Sequence, residues 1–283
     1  MKAGLPSRTA QSVAMRRAEH QFVDWPHVFR DPVAVRIIGP GAAALMTLRA
    51  PAAHLPSSRY LRAFIAARSR YAEDHLARAV VAGTRQYVIL GAGLDTFAYR
   101  NPYPPDRLRT FEVDHPDTQA LKRQRLQKSG IRIPTSVTYV PVDFERQELR
   151  AELERAGFKL DAPAFISWLG CTPYLARDTV MATFSLIHAL CPDNGVVFDY
   201  ARPRHTLSGV EKLALDAIDA SVGLAGEPFV TFFNTEELAA ELRTIGFRHV
   251  EHPTTDEINA RYFNGRLDRL RVRGRVGGLM CAY

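Results

Sequence analysis

The chain has 283 residues, of which 46% are hydrophobic and 24% charged, and its formal net charge is +7. This length allows one large domain with a full hydrophobic core. No apolar run approaches the roughly 18 residues that a membrane span needs, and the first residues turn polar before a signal-peptide core could form. The sequence therefore predicts a cytoplasmic globular protein with no membrane partner.

The three cysteines, Cys171, Cys191 and Cys281, lack the paired spacing of a zinc site or a disulfide framework. They are expected to be reduced thiols, and no metal is expected. The positive charge raises non-specific affinity for nucleic acid, but no basic module with interleaved aromatic residues accompanies it. Nucleic acid is therefore not the expected partner, and the oligomeric state is left open.

The N-terminal part of the chain, residues 1–84, is predicted to form a helical cap. Its segments are rich in Ala and Arg or carry apolar side chains at helical spacing, and a pair of prolines predicts a loop between two of them. The expected helices span residues 9–22, 31–38 and 60–81, and the expected loop spans residues 50–58.

From residue 85 to residue 201, short apolar runs alternate with helical stretches. This alternation predicts a parallel sheet with helices on both faces. The first run, residues 87–90, ends in glycines, as a buried parallel strand does when it turns sharply. The expected strands are 87–90, 108–113, 137–142, 165–169 and 196–200, and the expected helices are 118–128, 146–156 and 179–190.

The alternation stops after residue 201. Residues 202–233 hold no clear strand and are predicted to form a lid insertion, with a helix at 208–222. Residues 234–283 are predicted to add a helix and a terminal strand hairpin, which would make an antiparallel edge on the parallel sheet. We therefore expect one domain over residues 1–283, in which the segment 85–201 forms the ligand-binding core.

Ligands of open parallel sheets bind outside the carboxyl ends of the strands, so the residues just after each strand are candidates. Gly91, Ala92 and Gly93 follow the first strand, where glycine lets the backbone approach a ligand closely, although plain turn glycines would give the same pattern. Asp114 ends the second strand, where a carboxylate can accept hydrogen bonds from ribose hydroxyls. A helix N-cap ahead of Pro116 is the alternative interpretation of Asp114.

Asp143 follows the third strand and could accept an adenine amino hydrogen while Phe144 packs on the ring; a turn or a cap is the alternative. The glycine segment departs from the dinucleotide pattern G-x-G-x-x-G, because Thr96 holds the third position. Asp95 also places a negative charge where a diphosphate would lie. These features disfavour a dinucleotide-dependent oxidoreductase and favour a ligand without phosphate.

Six segments, taken in chain order, carry a family resemblance: Arg-Ser-Arg-Tyr at 68–71, Tyr-Val-Ile-Leu-Gly-Ala-Gly-Leu-Asp-Thr at 87–96, Phe-Glu-Val-Asp-His-Pro at 111–116, Tyr-Val-Pro-Val-Asp-Phe at 139–144, Ser-Trp-Leu-Gly-Cys-Thr-Pro-Tyr-Leu at 167–175 and Arg-Tyr-Phe-Asn-Gly-Arg-Leu-Asp at 261–268. Through them the chain resembles the leucine carboxyl methyltransferase superfamily. It is most similar to a bacterial branch of O-methyltransferases that use S-adenosylmethionine (SAM), some of them linked to polyketide biosynthesis.

The resemblance implies a Rossmann-like class I methyltransferase fold, with a mostly parallel seven-stranded sheet and helices on both faces. It also implies roles in cofactor binding. Arg68 would hold the methionine carboxylate of SAM, for which the planar fork of arginine is suited. The other positions implied to bind or adjoin the cofactor are Arg17 in the N-terminal helix, Gly91, Ala92 and Gly93, Asp114 at the ribose, His115 beside it, and Asp143 with Phe144 at the adenine.

One position departs from the family pattern. Relatives often carry a glutamate five positions before the tyrosine that matches Tyr174, near the amino group of the cofactor. Leu169 stands at that position here. Backbone carbonyls or another acid would have to bind the ammonium.

Methyl transfer from a sulfonium mainly requires alignment and the exclusion of water, and only a hydroxyl acceptor would benefit from a base. His115 and Tyr174 are the candidates for such a group, although a strand-end histidine is more often a neighbour of the cofactor. Arg202 and Arg204 open the lid and could steer an anionic acceptor, and Tyr262 could line the acceptor side.

The sequence thus predicts a SAM-dependent methyltransferase that methylates a carboxylate or hydroxyl oxygen of a small molecule, of the secondary-metabolite type. A non-catalytic protein that binds SAM or nucleic acid, and a dinucleotide-dependent oxidoreductase, are the alternatives.

Overall fold

A mixed sheet between two layers of helices forms the centre of the computed structural model, which describes residues 8–39, 41–143, 147–191, 193–224 and 226–283. The strands are β1 (Gln86–Leu90), β2 (Arg109–Asp114), β3 (Val137–Pro141), β4 (Ala164–Trp168), β5 (Gly195–Ala201), β6 (Val250–Glu251) and β7 (Gly277–Ala282). The helices are α1 (Arg8–Val23), α2 (Ala34–Ile38), α3 (Ala42–Ala53), α4 (Pro56–Ala82), α5 (Pro116–Lys128), α6 (Leu149–Arg155), α7 (Arg177–Leu190), α8 (Gly209–Leu224), α9 (Thr235–Ile245) and α10 (Thr255–Tyr262).

The sheet has seven strands in the order β3-β2-β1-β4-β5-β7-β6. Strands β1 to β5 are parallel, whereas β7 pairs antiparallel with both β5 and β6. The prediction of a parallel sheet with an antiparallel edge is therefore confirmed. The two terminal strands are not joined by a tight turn, because α10 lies between them; the sequence signal for this helix is the capping box that Thr254 forms with Glu257.

Each central strand contributes side chains to two apolar clusters, one on each face of the sheet, because successive side chains of a strand point to opposite faces. In β1, Val88 and Leu90 pack with residues of α6, α7 and α9. Tyr87 and Ile89 pack on the opposite face with α4. The strand is buried along its whole length, as expected when helices cover both faces of a parallel sheet.

The helical N-terminal segment differs from its prediction between α2 and α4, where α3 was not expected. The expected loop over residues 50–58 is wrong, since α3 continues through Pro51 and α4 begins at Pro56. Proline is well tolerated as the first residue of a helix, where its missing N–H has no partner to lose. Helix α1 packs against α2 and α4, and α4 in turn lies against β4 and β5. Within the described residues, every helix is too short or too polar to cross a membrane.

Candidate active site

The strand order reverses at β1, with β2 and β3 on one side and β4 and β5 on the other. The carboxyl ends of strands at such a switch point are where ligands of this architecture bind. The segments that leave β1 and β4 contact each other there, because a Cβ added at Gly91 would lie 2.4 Å from the Cys171 Sγ atom. Gly91 also has a φ of +63°, so both its conformation and its surroundings require glycine. Burial raises the pKa of the Cys171 thiol, which keeps it neutral.

Asp114 connects the end of β2 to the glycine segment. Its Oδ2 atom accepts a hydrogen bond from the Gly93 N–H at 2.5 Å, and its Oδ1 atom accepts one from the His115 N–H at 2.7 Å. Burial raises the pKa of Asp114, and these backbone donors oppose the rise. The Thr118 side chain also hydrogen-bonds to the carboxylate, which leaves one of its about four acceptor positions for a further hydrogen bond. Asp114 thus fixes the loop after β1 and retains acceptor capacity for a ligand.

The interpretation of Asp114 as a helix cap is wrong, because His115 is the residue that caps α5. The Nδ1 atom of His115 accepts a hydrogen bond from the Asp117 N–H at 3.3 Å. The imidazole therefore has one ring nitrogen occupied by the helix terminus, and its side chain is 30% exposed. His115 lies next to Asp114, as the sequence requires, with a structural partner of its own.

Arg68 lies on the face of α4 that packs against the sheet, and its partner is Asp199 near the carboxyl end of β5. The Arg68 Nη1 atom donates to the Asp199 Oδ2 atom at 2.6 Å, and each of the two side chains is only 8% exposed. The Gly170 N–H, just after β4, donates to the Asp199 Oδ1 atom at 2.5 Å. The Nε atom of Arg68 is buried and has no hydrogen-bond partner among the described residues.

The two residues that follow β4, Leu169 and Gly170, lie beside the Arg68–Asp199 pair and leave space for it. Gly170 has a φ of +70°, and a Cβ there would lie 3.2 Å from the Arg68 Nη1 atom. The Leu169 side chain packs against the apolar cluster between α4 and the sheet. The position at which the family resemblance implies a glutamate therefore offers no polar side chain.

Arg17 of α1 is buried against the segment that follows β1. Its guanidinium donates to the Leu94 carbonyl oxygen, and its Nη1 atom lies 3.3 Å from the Asp95 Oδ2 atom. The pair lowers the pKa of Asp95, although burial acts in the opposite direction. In this arrangement Arg17 ties α1 to the loop after β1.

Asp143 follows β3 at the same edge of the sheet. Its N–H donates to the Gln147 Oε1 atom at 2.9 Å, and its carbonyl accepts from the Gln147 N–H at 2.8 Å. The backbone of Asp143 is thus held by Gln147. Phe144 lies outside the described residues.

The segment after α8 runs beside the short helix at residues 172–174. The Val230 and Thr231 N–H groups both donate to the Pro173 carbonyl, at 2.7 and 3.1 Å. The ring of Phe229 meets the ring of Tyr174 edge-on, with centroids 5.3 Å apart. Burial is the main cause that raises the pKa of Tyr174, and the nearby Asp199 charge adds to it, so its hydroxyl stays protonated.

A second contact joins this segment to the N-terminal helix. The Thr9 N–H of α1 donates to the Glu227 Oε2 atom at 3.3 Å. Because Ala10 lies 3.3 Å from the position of a Cβ at Gly93, the same end of α1 also covers the glycine segment. The start of α1 and the segment after α8 thus meet above the loop that follows β1.

Two of the three acceptor-side candidates have side-chain partners elsewhere, and the third is held through its backbone. Arg204 pairs with Asp216 of α8 through two hydrogen bonds, at 3.0 and 2.9 Å, and is largely exposed. The Tyr262 hydroxyl donates to the Asp74 Oδ2 atom at 3.0 Å. The backbone N–H of Arg202 donates to the Val276 carbonyl at 2.9 Å, beside β7. These contacts place Arg204 on the outer side of α8 and Tyr262 against α4.

Among the described residues, no group of three or more His, Cys, Asp or Glu side chains is arranged to hold a metal ion. Cys171, Cys191 and Cys281 are free thiols.

Residues 10–188 match the leucine carboxyl methyltransferase family. Over 206 residues the chain is 36% identical to YktD of Bacillus subtilis, named a candidate S-adenosyl-L-methionine-dependent methyltransferase; the alignment covers 72% of this chain and 67% of YktD. A protein of Mycobacteroides abscessus with the same description is 35% identical over 64% of this chain and 59% of its own length. The chain therefore belongs to the leucine carboxyl methyltransferase family and is a SAM-dependent methyltransferase. The dinucleotide-dependent alternative is wrong.

Two solved structures share the fold over nearly the whole chain. A DUF574 family protein from Streptomyces avermitilis superposes with a TM-score of 0.52 at 15% identity and covers 96% of both chains. A candidate methyltransferase from Thermobifida fusca superposes with a TM-score of 0.52 at 16% identity, over 99% of this chain and 96% of that one. These likenesses support the class I methyltransferase fold.

Asp199 and Glu227 did not emerge from the sequence analysis. The signal for Asp199 was present, because a carboxylate stands inside the apolar strand Val196-Val197-Phe198-Asp199-Tyr200. A charge in a strand that is buried on both faces needs a partner. Glu227 follows α8 in a segment without periodicity, where the sequence gives no corresponding signal.

Proposed function

We propose that the chain transfers the methyl group of SAM to an oxygen atom of a small molecule, either a carboxylate or a hydroxyl. The observation that carries the proposal is the meeting of the β1 loop, Asp114 and the buried Arg68–Asp199 pair at one switch point of the sheet. The name of the family describes methylation of a carboxyl group, which supports oxygen as the acceptor atom.

The residues at the switch point fit the parts of SAM. Asp114 would accept hydrogen bonds from the ribose hydroxyls, and the backbone of Gly91, Ala92 and Gly93 would lie along the cofactor. Arg68, whose Nε donor is unused, would bind the methionine carboxylate. Asp143 and Phe144 would flank the adenine, with Phe144 outside the described residues. Bound SAM would supply an electrophilic methyl group on its sulfonium, and S-adenosylhomocysteine would leave as a neutral thioether.

The task of the protein is then to align the acceptor and to exclude water. The start of α1 and the segment after α8 meet over the β1 loop through Thr9 and Glu227, so they would form the cover of the site. A carboxylate acceptor needs no base. For a hydroxyl acceptor, Tyr174 contacts the covering segment through Phe229, and its raised pKa keeps the hydroxyl protonated, so it would donate a hydrogen bond that orients the acceptor.

Calorimetry on the full chain tests the cofactor site. We expect micromolar binding of SAM and S-adenosylhomocysteine, no binding of NAD, and loss of binding in Arg68→Ala and Asp114→Ala. Arg70→Ala, an exposed arginine on the same helix, and Asp161→Asn, an exposed carboxylate, are matched controls that should bind as the unmodified chain does. A well-folded chain that binds neither sulfur ligand would contradict the proposed site.

Acceptor screening then tests the oxygen class. SAM labelled in its methyl group is incubated with small carboxylic acids and with phenols, and the product is treated with mild base. A methyl ester releases labelled methanol, whereas a methyl ether keeps its label. Transfer to nitrogen or to nucleic acid, with no transfer to either oxygen class, would overturn the proposal.

A further inference from the structure

Leu169 offers no acidic group to bind the ammonium of the cofactor, but a carboxylate lies on the neighbouring strand, β5. Asp199 lies on β5, and its carboxylate reaches the backbone just after β4 through the Gly170 N–H. The same carboxylate contacts Arg68, the residue proposed to bind the carboxylate end of the cofactor. The acidic and basic groups therefore lie side by side at the carboxyl edge of the sheet.

The hydrogen bonding of this pair is incomplete. A guanidinium has five N–H donors, and Arg68 leaves its buried Nε without a partner among the described residues. Asp199 uses one lone pair of Oδ1 for Gly170 and one of Oδ2 for Arg68, and each oxygen can accept once more. A purely structural buried pair is usually satisfied on both sides, because unmade hydrogen bonds in the interior are costly.

The charges of the pair complement an amino-acid zwitterion. An α-ammonium and an α-carboxylate stand on a single carbon, and Asp199 and Arg68 offer one opposite charge to each. Since both the pair and the zwitterion are neutral overall, binding leaves no uncompensated buried charge. A ligand with the carboxylate alone would add a net negative charge beside Asp199.

We propose that Asp199 binds the α-ammonium of SAM and, together with Arg68, selects ligands that carry the complete amino-acid end. Asp199 thereby supplies the acidic group that the apolar Leu169 side chain does not offer. The inference rests on the cofactor site proposed above. It makes Asp199 a specificity-determining residue of that site, in addition to its contact with Gly170.

Three ligands separate the ammonium from the rest of the cofactor: S-adenosylhomocysteine, its des-amino analogue S-adenosyl-4-mercaptobutyrate, and 5′-methylthioadenosine, which lacks the amino-acid end. Calorimetry on the unmodified chain should show the des-amino analogue binding about tenfold to a hundredfold more weakly than S-adenosylhomocysteine, as expected when a hydrogen-bonded charge is lost. Equal affinity for these two ligands would overturn the proposal without any variant.

The variant Asp199→Asn keeps an acceptor for the Gly170 N–H and removes the negative charge. It should bind S-adenosylhomocysteine about tenfold to a hundredfold more weakly. It should bind 5′-methylthioadenosine unchanged and no longer discriminate against the des-amino analogue. Asp161→Asn, an exposed position, is the matched control and should change none of the three affinities.

Two other outcomes have distinct meanings. If Asp199→Asn weakens all three ligands by the same factor, Asp199 only shapes the site, and the proposal fails while the cofactor site stands. If the folded, unmodified chain binds none of the three ligands, the proposed cofactor site fails and this inference falls with it.

Discussion

Two arginines of α4 form buried ion pairs in different regions of the molecule, and only one pair is complete. Arg62 lies where α4 meets the loop after α1, and its Nε and Nη2 atoms both donate to Asp24, at 2.6 and 3.0 Å. Its Nη1 atom donates to the Ala53 carbonyl at 2.8 Å. Arg68 lies at the carboxyl edge of the sheet, where it makes one hydrogen bond to Asp199 and leaves Nε unused.

The remaining partner of Asp24 completes the first pair. The His20 Nδ1 atom lies 2.8 Å from Asp24 Oδ2, and its Nε2 atom accepts from the Val28 and Phe29 N–H groups, at 3.1 and 3.3 Å. These partners require a neutral imidazole with its proton on Nδ1. The complete Arg62–Asp24 pair thus holds α1 and α4 together, whereas the incomplete Arg68–Asp199 pair can still bind a ligand.

Removing Arg62 should produce the largest effect. Arg62→Ala leaves Asp24 buried without its cation, which is expected to lower the free energy of unfolding by about 3–5 kcal/mol. Urea denaturation measures this loss, and calorimetry at low temperature on the folded fraction should find the affinity for S-adenosylhomocysteine unchanged. Arg68→Ala should have the opposite balance of effects, with a larger loss of affinity for S-adenosylhomocysteine and a smaller loss of stability than Arg62→Ala. A weaker effect of Arg62→Ala on stability than of Arg68→Ala would contradict the distinction.

The Asp24 pair also predicts how the fold responds to acid. Burial alone would raise the pKa of Asp24, but hydrogen bonds from His20 and Arg62 outweigh it and lower the pKa to about 2. A lowered carboxyl pKa stabilises the fold above the unfolded value of 3.8 and loses that contribution, about 2 kcal/mol, as the pH falls towards 2. Burial lowers the pKa of His20, so the neutral imidazole stabilises the fold above pH 6.5. This contribution to the free energy of unfolding is lost as the pH falls from 6.5 through the lowered pKa. The free energy of unfolding, measured from pH 7 to pH 2, should decline in these two steps. The variant Asp24→Asn should remove the step at the lower pH.

The sequence was informative wherever local pattern decides the structure. Alternating apolar runs and helical stretches predicted the parallel sheet, and the ends of the strands placed Gly91 and Asp114 at one edge. The ion pairs could not be predicted from the sequence, because Arg62 and Arg68 stand in the same helical pattern. Their partners lie 38 and 131 residues away, so only the packing of α4 shows which of the two is complete. Pro56 misled for a local reason, since proline is compatible with the first turn of a helix, whereas Pro51 lies inside the last turn of α3, where it removes one hydrogen bond of the helix.

Asp114 should respond to pH in the opposite sense to Asp24. Burial raises its pKa, so its ionisation destabilises the fold as the pH rises from 3.8 through the raised value. Asp114→Asn keeps an acceptor for Gly93 and should remove this loss, leaving the neutral-pH fold at least as stable. Its affinity for S-adenosylhomocysteine should fall by about tenfold, because the amide replaces a charged acceptor of the ribose hydroxyls. Thermal melting and calorimetry measure the two quantities, and a less stable variant with full affinity would make Asp114 a structural residue.

The smallest expected effect concerns the contact between α1 and the segment after α8, which covers the loop that follows β1. Glu227→Ala removes the acceptor of the Thr9 N–H and should loosen the contact between α1 and the segment after α8. A single hydrogen bond of this kind contributes about 0.5–1.5 kcal/mol, so affinity for S-adenosylhomocysteine should fall only a few-fold. Limited proteolysis should show cleavage near residues 226–233 that the ligand suppresses in the unmodified chain and suppresses less in the variant. Glu236→Ala, an exposed glutamate at the start of α9, is the control. Cleavage that no ligand affects in the unmodified chain would show that this segment does not close over the site.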